Sequence, residues 1–217
     1  MGEVFIGSEA IAERRLTRHE LQRWYRTIYR GVYVPVRAEP TLRDRTVGAW
    51  LSSGRQAVIA GAAASALHGA QWVDDDIDIE LVSDSTRPQR GLKVRDETLA
   101  PDEVTRRSCL PVTTPARTAY DLGRHLPRDR AVARMDALAR ATPFATEDVL
   151  LVAKCHSRAR GLRRLRTALD LVDAGAASPK ETWLRLVLID AGLPRPATQI
   201  MVYDGSPWPF AHLDMGW

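Results

Sequence analysis

The chain has 217 residues, 45% of them hydrophobic and 27% charged, which excludes a disordered chain and suits one large or two modest domains, each with its own core. Lysine and arginine number 31 against 27 for aspartate and glutamate, a net charge of +4. The basic residues are nearly all arginine, whose planar fork suits phosphate and carboxylate partners. The apolar run AVIAGAAASAL falls short of the roughly 20 residues that span a bilayer, and MGEVFIG is not a basic segment followed by an apolar core. Cys109 and Cys155 follow no metal-ligand spacing and read as reduced core thiols, so the expectation is a cytoplasmic protein with no membrane partner.

Residues 7–34, GSEAIAERRLTRHELQRWYRTIYRGVYV, predict a short helix, a turn, a second helix from Thr17 and a hairpin closing after Gly31. Thr17 caps the second helix and Glu20 completes a capping box, while Leu16, Leu21 and Trp24 face inward. Arg18, His19, Gln22, Arg23 and Arg26 then point outward, a set able to reach base edges in a major groove, with Arg30 at the hairpin placed for phosphate. This string resembles the N-terminal winged helix of AbiEi-type antitoxins. The resemblance implies a DNA-binding module over residues 1–40. Its usual first helix would lie before residue 7, where only Val4-Phe5-Ile6 stands, so the module is expected to be trimmed or to borrow a helix from later in the chain.

Residues 35–40 read as a linker. Residues 41–53 form an amphipathic helix with Leu42, Val47, Trp50 and Leu51 inward, stopped by Gly54, and residues 57–60 a short buried strand. AAASALHGAQW predicts a small-residue helix ending at Gly69, with His68 packed or capping. Asp74-Asp75-Asp76-Ile77-Asp78-Ile79-Glu80-Leu81 holds a D-x-D that invites a nucleotidyltransferase reading. Its alternation instead predicts a half-exposed strand with Ile77, Ile79 and Leu81 inward and Asp76, Asp78 and Glu80 outward, and no Gly-Ser phosphate turn precedes it. Short strands follow at residues 92–95 and 111–112, residues 114–118 open a helix with cap and proline in their favoured positions, and two more helices follow at residues 128–141 and 146–156. ALHG and VTTPARTAYDL again resemble the AbiEi pattern, extending the likeness over most of residues 7–126.

KCHSRARGLRRLRTALDLVDAG then brings Lys154, Arg158, Arg160, Arg163, Arg164 and Arg166 with no acid among them, beside a buried stripe of Leu162, Leu165, Leu169 and Val172. Phosphate contact needs charge and reach more than sequence precision, which makes this a second candidate surface for a nucleic-acid backbone.

Ser178-Pro179-Lys180-Glu181 starts a helix by capping box and N1 proline, and Gly192 ends it. Its inward face is predicted as Leu184, Val187, Leu188 and Ala191, leaving Lys180, Arg185 and Asp190 to water. Residues 198–203 and 211–215 form a hairpin around Asp204-Gly205, with Asp214 sharing a strand face with His212 and Gly216. SPKETWLRLVLIDAGLPRP and AHLDMGW resemble the opening half of a PD-(D/E)XK nuclease core of the very-short-patch-repair kind. That likeness implies Glu181 and Asp214 as catalytic metal ligands for Mg2+. The strand carrying the family's second acidic pair would lie past Trp217.

The expected fold class is therefore α/β (α+β): a winged helix over 1–40, an AbiEi-like mixed α/β middle domain over 41–175, and an incomplete restriction-endonuclease-like unit over 176–217. The expected function is that of a DNA-binding protein of the AbiEi antitoxin or transcriptional-regulator kind, with double-stranded DNA as partner and a degenerate or truncated nuclease-like C-terminus. The alternatives are a metal-dependent endonuclease and an antitoxin-like module that binds a toxin-like partner protein.

Overall fold

A computed structural model of the protein describes residues 4–217 and has an α/β fold that divides into two compact units. One runs from the N-terminal residues to Leu67 and adds Val73–Thr114; the other joins His68–Trp72 to Pro115–Trp217.

The first unit opens with β1 (Phe5–Ile6), α1 (Gly7–Ala12), α2 (Arg18–Trp24), β2 (Tyr25–Tyr29) and β3 (Val32–Pro35). The three strands form one antiparallel sheet in the order β1-β3-β2. Helix α2 begins where Thr17 and Glu20 dictate: the Glu20 N–H donates to the Thr17 hydroxyl at 3.2 Å, and the Thr17 N–H to the Glu20 carboxylate at 2.8 Å. The Thr17 N–H, joined by the Thr17 hydroxyl donating at 2.8 Å, holds the Glu20 carboxyl below the usual glutamate range. A small core of Phe5, Ala10 and Leu21, with Leu16 and Tyr33 against it, ties the helices to the sheet. Gly7 allows the closest approach, since a Cβ there would lie 2.5 Å from the Tyr33 ring.

Helix α3 (Leu42–Ser52), with its own capping box of Thr41 and Asp44, packs on all three of these strands. It also packs on β4 (Val58–Ala60) and β5 (Ile79–Val82), so one core runs from Tyr29 and Val32 through Ala49 to Ile59, Leu81 and Val112. Packing therefore groups residues 4–40 with residues 41–67 and 73–114, much of what the sequence assigned to a middle domain. The larger sheet has the order β6-β5-β4-β8-β7, with β6 (Leu92–Arg95), β7 (Val104–Arg107) and β8 (Leu110–Thr113), and α4 (Gly61–Leu67) packs on it. It is mixed: β5 with β6 and β4 with β8 are parallel, and the other pairs antiparallel.

Two expectations change in this unit. The acidic run is not a half-exposed strand from residue 74: β5 starts at Ile79, and its four residues are all buried. An interior strand loses its polar face, and Glu80, only 8% exposed, is tolerated because Arg95 forks onto its carboxylate at 2.5 and 2.8 Å. Cys109 is exposed rather than a core thiol; with Ser108 it makes the two-residue turn from β7 to β8, both residues at positive φ.

The second unit is built of α5 (Pro115–His125), α6 (Arg128–Ala141), α7 (Thr146–Cys155), α8 (Leu162–Leu169), α9 (Pro179–Asp190) and the hairpin β9 (Ala197–Val202) with β10 (Ala211–Gly216). Helix α5 is central, packing on α6, α7 and α8, and its residues from Arg117 to Arg124 are all buried. His68 is buried as expected, its carbonyl accepting from the Thr142 hydroxyl at 2.7 Å. Cys155 ends α7 exposed, again not a core thiol.

Helix α9 turns the opposite way from its hydrophobic pattern. Thr182, Arg185 and Leu186 are its buried residues, while Trp183, Leu184 and Val187 are 60%, 42% and 43% exposed. The cause is charge. Asp136 of α6 accepts from the Arg185 guanidinium at 2.7 Å, from the Thr182 hydroxyl at 2.7 Å and from the Asp173 N–H at 2.7 Å. Arg185 also donates to the Leu171 carbonyl at 2.6 Å. Burial pushes the Asp136 carboxyl up, and those hydrogen bonds and the Arg185 charge pull against it.

Candidate nucleic-acid interface

Two basic surfaces stand out, one in each unit. On α2, Arg18, His19, Gln22 and Arg23 are all exposed, as the capping box and the inward Leu21 require. None of them forms an ion pair with a carboxylate among the described residues. The helix ends at Trp24, so Arg26 is not on it: Arg26 lies exposed in β2 and donates to the Ala38 carbonyl at 2.9 Å. The β-branched and aromatic run YRTIY wins that segment for a strand. Trp24, expected inward, is 56% exposed with the Arg23 guanidinium 4.9 Å from its ring centroid. Leu16 and Leu21 already fill the small core behind the helix. Arg30 is exposed at the hairpin, its N–H anchored to the Gln89 side chain at 2.8 Å.

The second surface is the turn from α7 into α8 and the helix after it. Lys154, Arg158, Arg160, Arg163, Arg164 and Arg166 are exposed, and among the described residues none makes an ion pair, whereas Leu165, Ala168 and Leu169 carry the packing. Leu162 is half-buried, so the predicted stripe is right in phase and narrower than expected. The N-cap of α8 is Gly161, which has no side chain to cap it, and no acidic residue occupies the first turn.

A charged cluster that sequence reading did not single out lies beneath this turn. Arg117 donates to Asp121 at 3.2 Å, and the Arg124 guanidinium approaches the same carboxylate at 3.7 Å; all three residues are under 5% exposed. Arg117 also reaches the His156 ring at 3.3 Å, and Arg124 donates to the Arg160 carbonyl at 3.1 Å. Both guanidinium groups lie over the Tyr120 ring, at 5.1 and 4.5 Å. The available signal was the Arg–Asp spacing of four within VTTPARTAYDL, a helical ion pair in a segment otherwise apolar enough to be enclosed.

The carboxylates implied by the nuclease likeness do not form a fit site for Mg2+. Glu181 accepts from the Ala177 N–H at 2.9 Å, the Ser178 hydroxyl at 2.9 Å and the Gln199 amide at 3.4 Å, so both its oxygens serve the start of α9 and its link to β9. Asp214 is exposed on β10, opposite an irregular stretch where Gln199 takes φ +53°. Neither belongs to a cluster of three or more potential ligand side chains among the described residues. A hard cation needs clustered oxygens, and no catalytic step follows from this pair.

Among the described residues, no helix is long and apolar enough to cross a membrane. No family model matches the chain. It is 31% identical over 198 residues to two proteins of Mycobacterium tuberculosis, the uncharacterized protein MT2308 of strain CDC 1551 / Oshkosh and the uncharacterized protein Rv2248 of strain ATCC 25618 / H37Rv. Each match covers 89% of this chain and 68% of the relative.

Proposed function

The chain belongs to the family of these two mycobacterial proteins, and from the surface of this member we propose a double-stranded-DNA-binding protein of the winged-helix, transcriptional-regulator kind. In this reading α2 enters a major groove. Arg18, Gln22 and Arg23 meet base edges there, and Arg26 and Arg30 of the hairpin meet the backbone. Arg158, Arg160, Arg163 and Arg164 give a second contact to phosphate.

The observation that carries the reading is the clustering, on α2 and around the α7–α8 turn, of exposed arginines that hold no carboxylate among the described residues. Arg55, Arg95, Arg117, Arg128 and Arg185 each hold a carboxylate, with Glu9, Glu80, Asp121, Asp190 and Asp136 respectively. Those on α2 and around the α7–α8 turn hold none among the described residues and face water. Guanidinium groups concentrated without counter-charges raise the local potential and attract polyanions. The exposed Trp24 beside Arg23 adds a flat apolar surface next to that charge.

Fluorescence anisotropy of a labelled duplex from the region upstream of the coding sequence, against a scrambled duplex across a salt series, tests the proposal. The expected result is tighter binding to the native duplex, an affinity that falls linearly on a log–log salt plot, and a loss of about 1–3 kcal/mol in Arg23→Ala. Binding indifferent to salt removes the reading. Cleavage that depends on magnesium and is lost in Asp214→Asn would replace it with the endonuclease.

A further inference from the structure

The α7–α8 turn is short, exposed and arginine-rich, the kind of segment that is ordinarily mobile. Here it is held from below at both ends. At its start the His156 ring lies 3.3 Å from the Arg117 guanidinium and packs against Tyr120, with ring centroids 5.7 Å apart. At its end the Arg160 carbonyl accepts from Arg124 at 3.1 Å, and the Arg164 side chain donates back to the Arg124 carbonyl at 3.4 Å. Asp121 ties the two arginines of α5 together. Gly161 closes the turn at φ +89°, where a Cβ would stand 2.7 Å from the Arg124 carbonyl oxygen. Backbone of α5 and backbone of the turn touch there with no room for a side chain.

Burying two guanidinium groups and a carboxylate is costly, and apolar residues of similar volume would stabilise the fold at least as well. What the ionic cluster adds is direction: hydrogen bonds reach the His156 ring and the Arg160 carbonyl from fixed points on a central helix. We propose that Arg117, Asp121 and Arg124 are positioning residues for nucleic-acid binding. They fix the backbone of residues 156–161 so that Arg158 and Arg160 present their guanidinium groups to two phosphates of a duplex in a preset geometry. The inference rests on the DNA-binding reading above and deepens it, because a preset turn loses less conformational entropy when it meets the backbone.

The test is a double-mutant cycle read by duplex anisotropy across a salt series, with folding of each variant checked by circular dichroism and thermal melting. Arg158→Ala/Arg160→Ala should make the slope of log affinity against log salt shallower by about 1.8, or about 0.9 for each phosphate no longer neutralised. Gly161→Ala removes no charge, yet it should weaken binding and make the slope shallower by about 0.9 for each arginine it misdirects. The cycle provides the readout that a merely structural role would not move: in the Arg158→Ala/Arg160→Ala background, Gly161→Ala should cost no further affinity. Should Gly161→Ala not fold, Arg124→Lys takes its place, keeping a cation for Asp121 and one donor for the Arg160 carbonyl, with a smaller loss that cancels in the same background.

Wild-type binding by both Gly161→Ala and Arg124→Lys overturns the proposal. So does a loss that persists undiminished in the arginine-less background. If Arg23→Ala weakens binding while Arg158→Ala/Arg160→Ala leaves it unchanged, DNA binding by α2 stands and the positioned turn falls. Absence of duplex binding by the wild-type protein defeats both.

Discussion

Removing the carboxylate of Asp136 is the sharpest perturbation of the second unit. Arg185 is fully buried, and Asp136 is its counter-charge at 2.7 Å. In Asp136→Ala the guanidinium keeps the Leu171 carbonyl, while the Thr182 hydroxyl and the Asp173 N–H lose their acceptor. Stripping one partner from a buried pair costs about 3–5 kcal/mol. A cavity of about 200 Å³, lined by Asp136, Thr182, Ala137 and Trp72, lies alongside. Water drawn from it into the space left by the carboxylate relieves part of the cost, so the lower end, about 3–4 kcal/mol, is expected. For a chain of this length that corresponds to a fall in Tm of roughly 6–16 °C. Calorimetry on Asp136→Ala measures it, with Asp136→Leu/Arg185→Met as the control. Because a buried pair can be exchanged for apolar residues at little cost, the double variant should return to within about 1 kcal/mol of the wild type. A Tm for Asp136→Ala within a degree of the wild type refutes the reasoning, and so does a double variant no more stable than the single.

Three further outcomes follow from the same geometry. In Arg185→Leu, Asp136 loses its cation and burial pushes its carboxyl up further. The native state then binds the proton more tightly than the unfolded one, so the urea midpoint should fall as pH rises from the ordinary aspartate value of 3.8 through the folded one, and a profile parallel to the wild type counts against it. Thr17→Ala removes the acceptor of the α2 capping box and should cost about 1 kcal/mol, with duplex affinity falling alongside it; loss of stability with unchanged affinity would separate α2 from DNA. Gly175→Ala would place a Cβ 2.0 Å from the Thr198 hydroxyl, prising β9 from the turn that Asp173 bonds to it. The expected cost is about 1–3 kcal/mol, and amide exchange at residues 197–202 should accelerate.

Much of the first unit was legible because its signals are local. The Thr17 and Glu20 box and Gly31 at the hairpin act within four residues, and each forms as read; Thr41, read as the first helical residue, instead caps α3 from outside it. The packing of α3 against all three strands of the small sheet rests on contacts that no local pattern carries. The basic residues around the α7–α8 turn were visible as a run without acids, but the cluster beneath them was not, since Arg117 and Arg124 look like surface residues until α7 and α8 close over α5. Helix α9 misled for a related reason. Periodicity weighs leucine against arginine by transfer cost and assumes the arginine goes to water, whereas a single aspartate 49 residues earlier reverses the choice. For Glu181 the helix-start role was the legible one: the Ser178 hydroxyl and the Ala177 N–H both donate to its carboxylate.

The Arg185–Asp136 pair also acts as a key to one rotational setting of α9. Turning the helix about its axis to bury Leu184 and Val187 would swing the guanidinium away from Asp136 and leave an acid enclosed with no counter-ion, an error far more costly than a few leucines in water. The alternative packing favoured by grease alone is thereby locked out. Trp183, Leu184 and Val187 are exposed as a result of that lock rather than through any slackness in the core, and substituting them with polar residues should leave the unit as stable as before.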